Sequence, residues 1–384
     1  MSYIYLDDAA TTRVDDRIKK AMDEYYDKKY GNPSSLHRMG KEAKKAMKNA
    51  RGSTANILNA DSEEVIFTSG GTEADNLAIK GAVEKHEGNH IITTEIEHAA
   101  VYNTCKYLEK KGYDVTYLGV DEDGVVDIGK FEESIREDTV IASIMYANNE
   151  IGTVEPIKEL TEIADENDVL FHTDAVQAVG KVPIDVEEEK IDMLSLSAHK
   201  LHGPKGVGAL YLSKDADIEP IVHGGGHENG YRSGTENVSG IVGLGKACEI
   251  AEDEMDEYVP KMARLRDKLI DNILNEIDEA YLNGHRKKRL PNNANFYFVA
   301  AEGEAIVLHL DSKGIAASTG SACSSKSLKA SRTLLATGLD EQYAHCSLRL
   351  TLSRYTDEEE IDRVIEVVPE VIANLRDMSP LWDR

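Results

Sequence analysis

The apolar run Met193-Leu194-Ser195-Leu196 ends in Ser197-Ala198-His199-Lys200, followed by a polar, glycine-containing turn to Gly206. A lysine there is a Schiff-base candidate, because desolvation beside other cations frees the nucleophilic amine that a carbonyl cofactor requires. A solvated surface lysine is the plain alternative. Cys323 lies in Ser318–Ser327, small and polar on both sides, which predicts a mobile, exposed thiol. Exposed thiols are unfavourable unless used. Its ordinary pKa, about 8.5, falls beside cations such as Lys326, leaving a useful thiolate fraction at neutral pH.

Other candidates follow apolar runs, where α/β sheets gather ligands beyond strand ends. Leu170–Thr173 leads into Asp174, with Gln177 three residues later. A buried carboxylate needs a cationic partner, and a protonated pyridinium nitrogen would serve; a strand-end cap is the alternative. Ile66–Ser69 runs into Gly70-Gly71-Thr72 and a helical pattern, placing backbone N–H groups and a hydroxyl where an anion could bind. Thr72 also reads as the start of a capping box with Asp75. Arg349 and Arg354 could each clamp a carboxylate through paired hydrogen bonds, or form ordinary ion pairs. The glycine-rich stretch from His223 to Thr235 suits close approach to a ligand or partner chain, or is simply a flexible loop.

Positioning these groups requires a framework. Strand-like runs recur at Val65–Thr68, His90–Thr93, Val115–Leu118, Val140–Met145, Val169–His172, Met193–Leu196 and Gly208–Leu212. Helical spacing at Glu73–Lys85, Ala100–Lys111 and Ile157–Glu166 alternates with them, which predicts an α/β fold with a mainly parallel, helix-covered sheet. After about residue 245 a charged helix is expected over Lys246–Glu276, then a strand at Asn295–Val299, a helix at Gly303–Lys313 and a last helix from Asp357. The expectation is a large domain over 13–245, with 1–12 and 246–384 forming a smaller α+β domain. Gly240–Lys246 imitates a phosphate-binding GxxxxGK loop, but Ala247 replaces the magnesium-ligating hydroxyl and no strand precedes it, so nucleotide hydrolysis is rejected.

Composition narrows the classes. The formal charge is −26, which repels nucleic acid as a main partner. Four cysteines without CxxC spacing make a metal site within one chain unexpected. Cys105 and Cys248 fall on apolar helical faces and Cys346 beside a strand-like run, so these three read as structural. With no basic-then-apolar start and no run of roughly 18 apolar residues, the expectation is a cytoplasmic protein that does not enter membranes.

Taken together, TSGGTEADN (68–76), EIEHAAV (95–101), ANNEIGT (147–153), HTDAVQ (172–177), SAHKLHGPKG (197–206), RSGTEN (232–237) and SACSS (321–325) resemble the NifS and IscS cysteine desulfurases, as does YLDDAATT (5–12). The resemblance spans nearly the whole chain. It implies a class V aminotransferase-like enzyme, a pyridoxal 5'-phosphate (PLP) homodimer of fold type I whose large domain holds a seven-stranded sheet. Lys200 would carry the internal aldimine, Asp174 pair the ring nitrogen, Gln177 contact the ring hydroxyl and His98 stack on the ring. Gly71, Thr72, Ser197 and His199 would hold the phosphate, with Thr235 reaching across from the other subunit. Asn149 and Arg354 would bind the substrate L-cysteine. Cys323 would accept its sulfur as a persulfide, leave alanine and pass the sulfur on, for example to an iron–sulfur scaffold protein, where it could meet a cluster.

Overall fold

The computed structural model describes residues 3–320 and 330–382. Its strands, in chain order, are β1 (Ile4–Tyr5), β2 (Val65–Thr68), β3 (His90–Thr94), β4 (Asp114–Leu118), β5 (Thr139–Ser143), β6 (Leu170–Asp174), β7 (Met193–Ser197), β8 (Gly208–Leu212), β9 (Ala280–Asn283), β10 (Asn293–Phe298), β11 (Ile315–Ala316) and β12 (Ser347–Thr351). Seven form one sheet in the order β2-β8-β7-β6-β5-β3-β4. β8 runs antiparallel to both neighbours and every other pairing is parallel. The protein is therefore α/β, with a seven-stranded, mostly parallel central sheet. In β2, β3, β5, β7 and β8 every residue is buried, as expected where helices cover both faces.

The second framework is a three-stranded antiparallel sheet, β12-β10-β9, with the short parallel pair β1-β11 beside it. Its core joins Ile4 and Leu6 to Phe296, Phe298, Leu348, Leu350 and the inner face of helix Glu358–Met378. That helix opens on a capping box, Asp357 with Glu360.

The long helix is Val238–Glu276, capped by Asn237, eight residues earlier than the charged pattern suggested. The glycines that imitate a phosphate loop are helix interior. A Cβ on Gly245 would lie 2.4 Å from Ala50 Cα and one on Gly243 2.7 Å from Met22 Sδ, so they allow close packing against helices Arg38–Asn56 and Asp16–Asp27. The helix serves two cores: Ile241, Leu244 and Cys248 join that of the large sheet, and Leu265, Leu269 and Ile273 that of the small one.

Candidate active site

The carboxyl ends of β2, β3, β6 and β7 converge. After β2 the chain turns at Gly70, whose φ of +152° suits glycine alone, and Gly70 caps helix Gly71–Lys85 without any side-chain hydrogen bond. The first amides of a 15-residue helix are thus left without a side-chain cap at its positive end, the physical basis of an anion site. A Cβ on Gly71 would sit 2.6 Å from Val176 Cγ2, and one on Gly70 would sit 3.9 Å from Ser197 Oγ. The capping box expected of Thr72 and Asp75 is not there. The helix starts at Gly71, Thr72 is its second residue, and Asp75 is buried within it. Glu73 instead accepts from Ser69 N (2.9 Å) and pairs with Arg232 (2.7 Å).

Lys200 ends a single helical turn after β7, Ala198–Lys200. Its Nζ donates to Ala9 O and, at 2.9 Å, to Ala10 O. Gln177 Nε2 donates to the same Ala9 carbonyl at 3.0 Å. His199 Nδ1 lies 3.2 Å from Thr11 Oγ1, and Thr12 Oγ1 donates to His199 O. Residues 9–12 therefore strap the lysine turn from above. Burial, then the charge of Lys200, pulls His199 down to about 4, so it is a neutral hydrogen-bonding group at pH 7. Beneath the turn, Lys181 Nζ donates to Gln177 O (3.1 Å) and Lys200 O (3.4 Å). Burial lowers Lys181 to about 8 and raises Asp8 to about 8.

Asp174, the last residue of β6, is buried and accepts from Val176 N at 3.0 Å. One ligand-type atom from each of Asp75, His98 and Asp174 lies within 4.8 Å of the others. Two buried carboxyls this close cannot both ionise cheaply. Burial and the charge of Asp174 push Asp75 up, whereas the rise that burial gives Asp174 is opposed by His98 and Lys200. Both carboxyls are thus pushed up, Asp75 the more, because His98 and Lys200 favour the charged form of Asp174 alone. Behind them His172, fully buried, bridges Ser143 Oγ (2.8 Å) and Ser195 Oγ (3.0 Å), and burial lowers it to about 3. His98 caps helix Ala99–Glu109, its Nδ1 accepting from Ala100 N at 3.2 Å.

Asn149 stands on the 147–154 turn, its carbonyl accepting from Arg349 Nη1 at 2.8 Å. Arg354 opens onto the same small cavity as Asp8, Lys181, Lys200, His202 and Tyr258, and its Nη2 meets Asp15 Oδ2 at 2.8 Å. Arg349 is the more buried arginine, bonded to Asp7, Asn149 and Gly320. Thr235 is exposed in the glycine-rich loop, which Arg232 ties to Glu73. Cys323 lies outside the described residues. Cys105 and Cys248 are buried, and burial pushes both thiols up to about 12. Sequence reasoning missed Asp75, Glu97, His172, Asp8, Lys181 and Asp15. Only their burial beside one another marks them, and a lone acid or histidine in a helical or strand pattern carries no such signal.

This arrangement belongs to a fold with known relatives. The chain belongs to the aminotransferase class-V family, whose model matches residues 4–364. It is 52% identical over 380 residues to the cysteine desulfurase IscS of Methanosarcina thermophila, covering 98% of this chain and 94% of that protein. Among solved structures it resembles a NifS-like protein (TM-score 0.91, 40% identity, 97% of this chain and 100% of that one). It also resembles SspA in complex with cysteine (TM-score 0.81, 37% identity, 92% and 100%).

Proposed function

We propose that the protein is a PLP-dependent cysteine desulfurase that takes the sulfur of L-cysteine onto Cys323 and releases L-alanine. The observation that carries this reading is the buried Asp174 carboxylate at a strand end, with His98 beside it and the Lys200 amine on the turn after the next strand. A site with a buried carboxyl in need of a cationic partner, an amine and an uncapped helix start matches the three polar parts of PLP: ring nitrogen, aldehyde and phosphate. When bound, PLP supplies a carbonyl for the amine and an electron sink for a carbanion. Asp174 would hold the protonated ring nitrogen, Gln177 the ring hydroxyl and His98 the ring face. Gly71, Thr72, Ser197 and His199 would hold the phosphate, with Thr235 of a second subunit.

Arg354 would grip the substrate carboxylate with two parallel hydrogen bonds and Asn149 would orient the amino acid. Lys200 Nζ, once displaced by the substrate amine, takes the α-proton. The Cys323 thiolate attacks the substrate sulfur; the carbon–sulfur bond breaks, a sulfur–sulfur bond forms, and the electron pair returns to carbon, where protons delivered through His98 complete alanine. The persulfide then passes to an acceptor such as an iron–sulfur scaffold protein. Among the described residues no helix is long and apolar enough to cross a membrane; a cytoplasmic homodimer with domains 13–245 and 1–12 plus 246–384 fits this reading. Purified protein should show the visible absorbance of a lysine-linked cofactor, and Lys200→Ala should abolish it. An unchanged spectrum in that variant would overturn the proposal.

A further inference from the structure

His98 follows a three-residue turn, Glu95-Ile96-Glu97, between the end of β3 and helix Ala99–Glu109. A turn of this kind must find partners for its carbonyls outside regular structure. All three do so through side chains. Arg332 Nη1 donates to Glu95 O and Arg332 Nη2 to Glu97 O. Asn148 Nδ2 donates to Ile96 O at 2.9 Å. The Arg332 guanidinium also lies 3.8 Å from the centroid of Tyr102, on the helix that His98 caps, a cation–π contact. One planar group thus touches the chain on both sides of His98. A fork of fixed N–H directions can span two carbonyls in this way, and a lysine ammonium cannot reproduce it together with the ring stacking.

The residue before Arg332 reaches the other active-site turn. Ser331 Oγ donates to Glu150 Oε2, next to Asn149. Asn148 Oδ1 accepts from Glu150 N (2.8 Å) and Ile151 N (3.0 Å), closing the 148–151 turn on itself. Glu97 is bound inward as well, its Oε1 accepting from Thr94 Oγ1 and Met145 N. Residues 331–332 open helix Arg332–Ala336, with Ser331 as its cap. They therefore bind, from a distant part of the chain, the turns bearing His98 and Asn149.

We propose that Arg332 is a positioning residue: by holding the carbonyls of Glu95 and Glu97 and the ring of Tyr102, it fixes where His98 presents its imidazole to the reacting centre. Arg332 touches neither substrate nor cofactor; it acts through His98. The inference rests on the desulfurase reading for its consequence and on geometry alone for its contacts. With the turn released, proton delivery and ring stacking suffer while the carboxylate grip of Arg354 is untouched. Arg332→Ala should lower kcat for alanine formation at least 10-fold with KM within about twofold, a split that separates a positioning effect from lost substrate binding. It should change the visible circular dichroism of the bound cofactor, and Arg332→Lys should recover only part of both.

The test compares purified wild type, Arg332→Ala and Arg332→Lys, loaded with PLP. Rates, visible dichroism, and amide hydrogen exchange of a peptide covering 95–102 are measured, with helix Glu358–Met378 as the unaffected reference. Faster exchange confined to 95–102, with altered dichroism and lowered kcat, supports the proposal. Wild-type kcat and dichroism in Arg332→Ala overturn it, as does full recovery by Arg332→Lys. Should wild type itself form no alanine from L-cysteine, the desulfurase reading fails, and exchange and dichroism still decide whether Arg332 holds the turn.

Discussion

Asp15→Asn isolates one buried charge without removing a helix cap. Asp15 Oδ1 accepts from Arg17 N at 2.7 Å as the cap of helix Asp16–Asp27, and an amide oxygen can keep that bond. Oδ2 receives Arg354 Nη2 (2.8 Å), Arg17 Nη2 (2.8 Å) and Tyr355 Oη (2.6 Å). An amide NH₂ in its place would face three donors. The Arg354 and Asp15 side chains are 6% and 5% exposed, so the variant strands a buried cation, which costs about 3–5 kcal/mol when one partner of a buried pair is removed. Glu254, at 3.8 Å from Arg354 Nη1, still offsets part of it, so we expect the lower end, about 3 kcal/mol. These donors, led by Arg17, hold the Asp15 carboxyl well below the usual carboxylate range. A lowered folded-state value means its stabilisation is complete above the unfolded value, about 3.9, and is lost as pH falls below it. Urea unfolding followed by far-ultraviolet circular dichroism should therefore show a gap between wild type and variant that is constant from pH 7 to about 4.5 and about 1 kcal/mol smaller near pH 3. A gap below about 1 kcal/mol at pH 7, or one that does not shrink in acid, would show that Asp15 does not neutralise a buried Arg354.

His172 gives a second pH dependence of known sign. Its folded-state value, about 3, lies below the unfolded value of about 6.5, so the unfolded chain binds a proton that the folded chain refuses. Stability is full above about pH 6.5 and should fall by roughly 2 kcal/mol on going to pH 5; in His172→Gln, which keeps hydrogen-bonding groups near Ser143 and Ser195, that part of the decline should vanish, and an identical pH profile would contradict the neutral assignment. Brief iodoacetamide treatment of the native protein at pH 8, read by peptide mass spectrometry, should leave Cys105 and Cys248 unlabelled because burial holds both as thiols. Labelling of either at the rate of Cys323 would show that the core opens there.

The central sheet was readable because its strands are short, fully buried apolar runs bounded by polar turns: the expected Val65–Thr68 and Gly208–Leu212 coincide with β2 and β8, and the helix expected at Ile157–Glu166 is the one found. Lys200, Asp174 and Gln177 could be found for the same reason, since strand ends point at ligands. What could not be read is what depends on contact between distant segments. Asp75 reads as a capping partner because the spacing Thr72-x-x-Asp75 has that local meaning, whereas Gly70 caps the helix two residues too early for it. Glu97, Asp8 and Lys181 carry shifted proton affinities because folding takes each of them out of water, a shift that the Asp8–Lys181 pair offsets only in part. Nothing near Arg332 in the chain announces that its partners are carbonyls 235 and 237 residues away. The first turns of the long helix are hard to read because Gly240, Gly243 and Gly245 weaken its helical pattern, which the packing of Gly243 against Met22 and of Gly245 against Ala50 sustains.

An anaerobic single turnover with L-cysteine, quantifying alanine and protein-bound persulfide in wild type and in Cys323→Ser, tests the role of Cys323. Wild type should form one alanine and one persulfide per active site, the persulfide on Cys323, and the variant neither. Stoichiometric alanine from Cys323→Ser, or no alanine from wild type, would contradict that role.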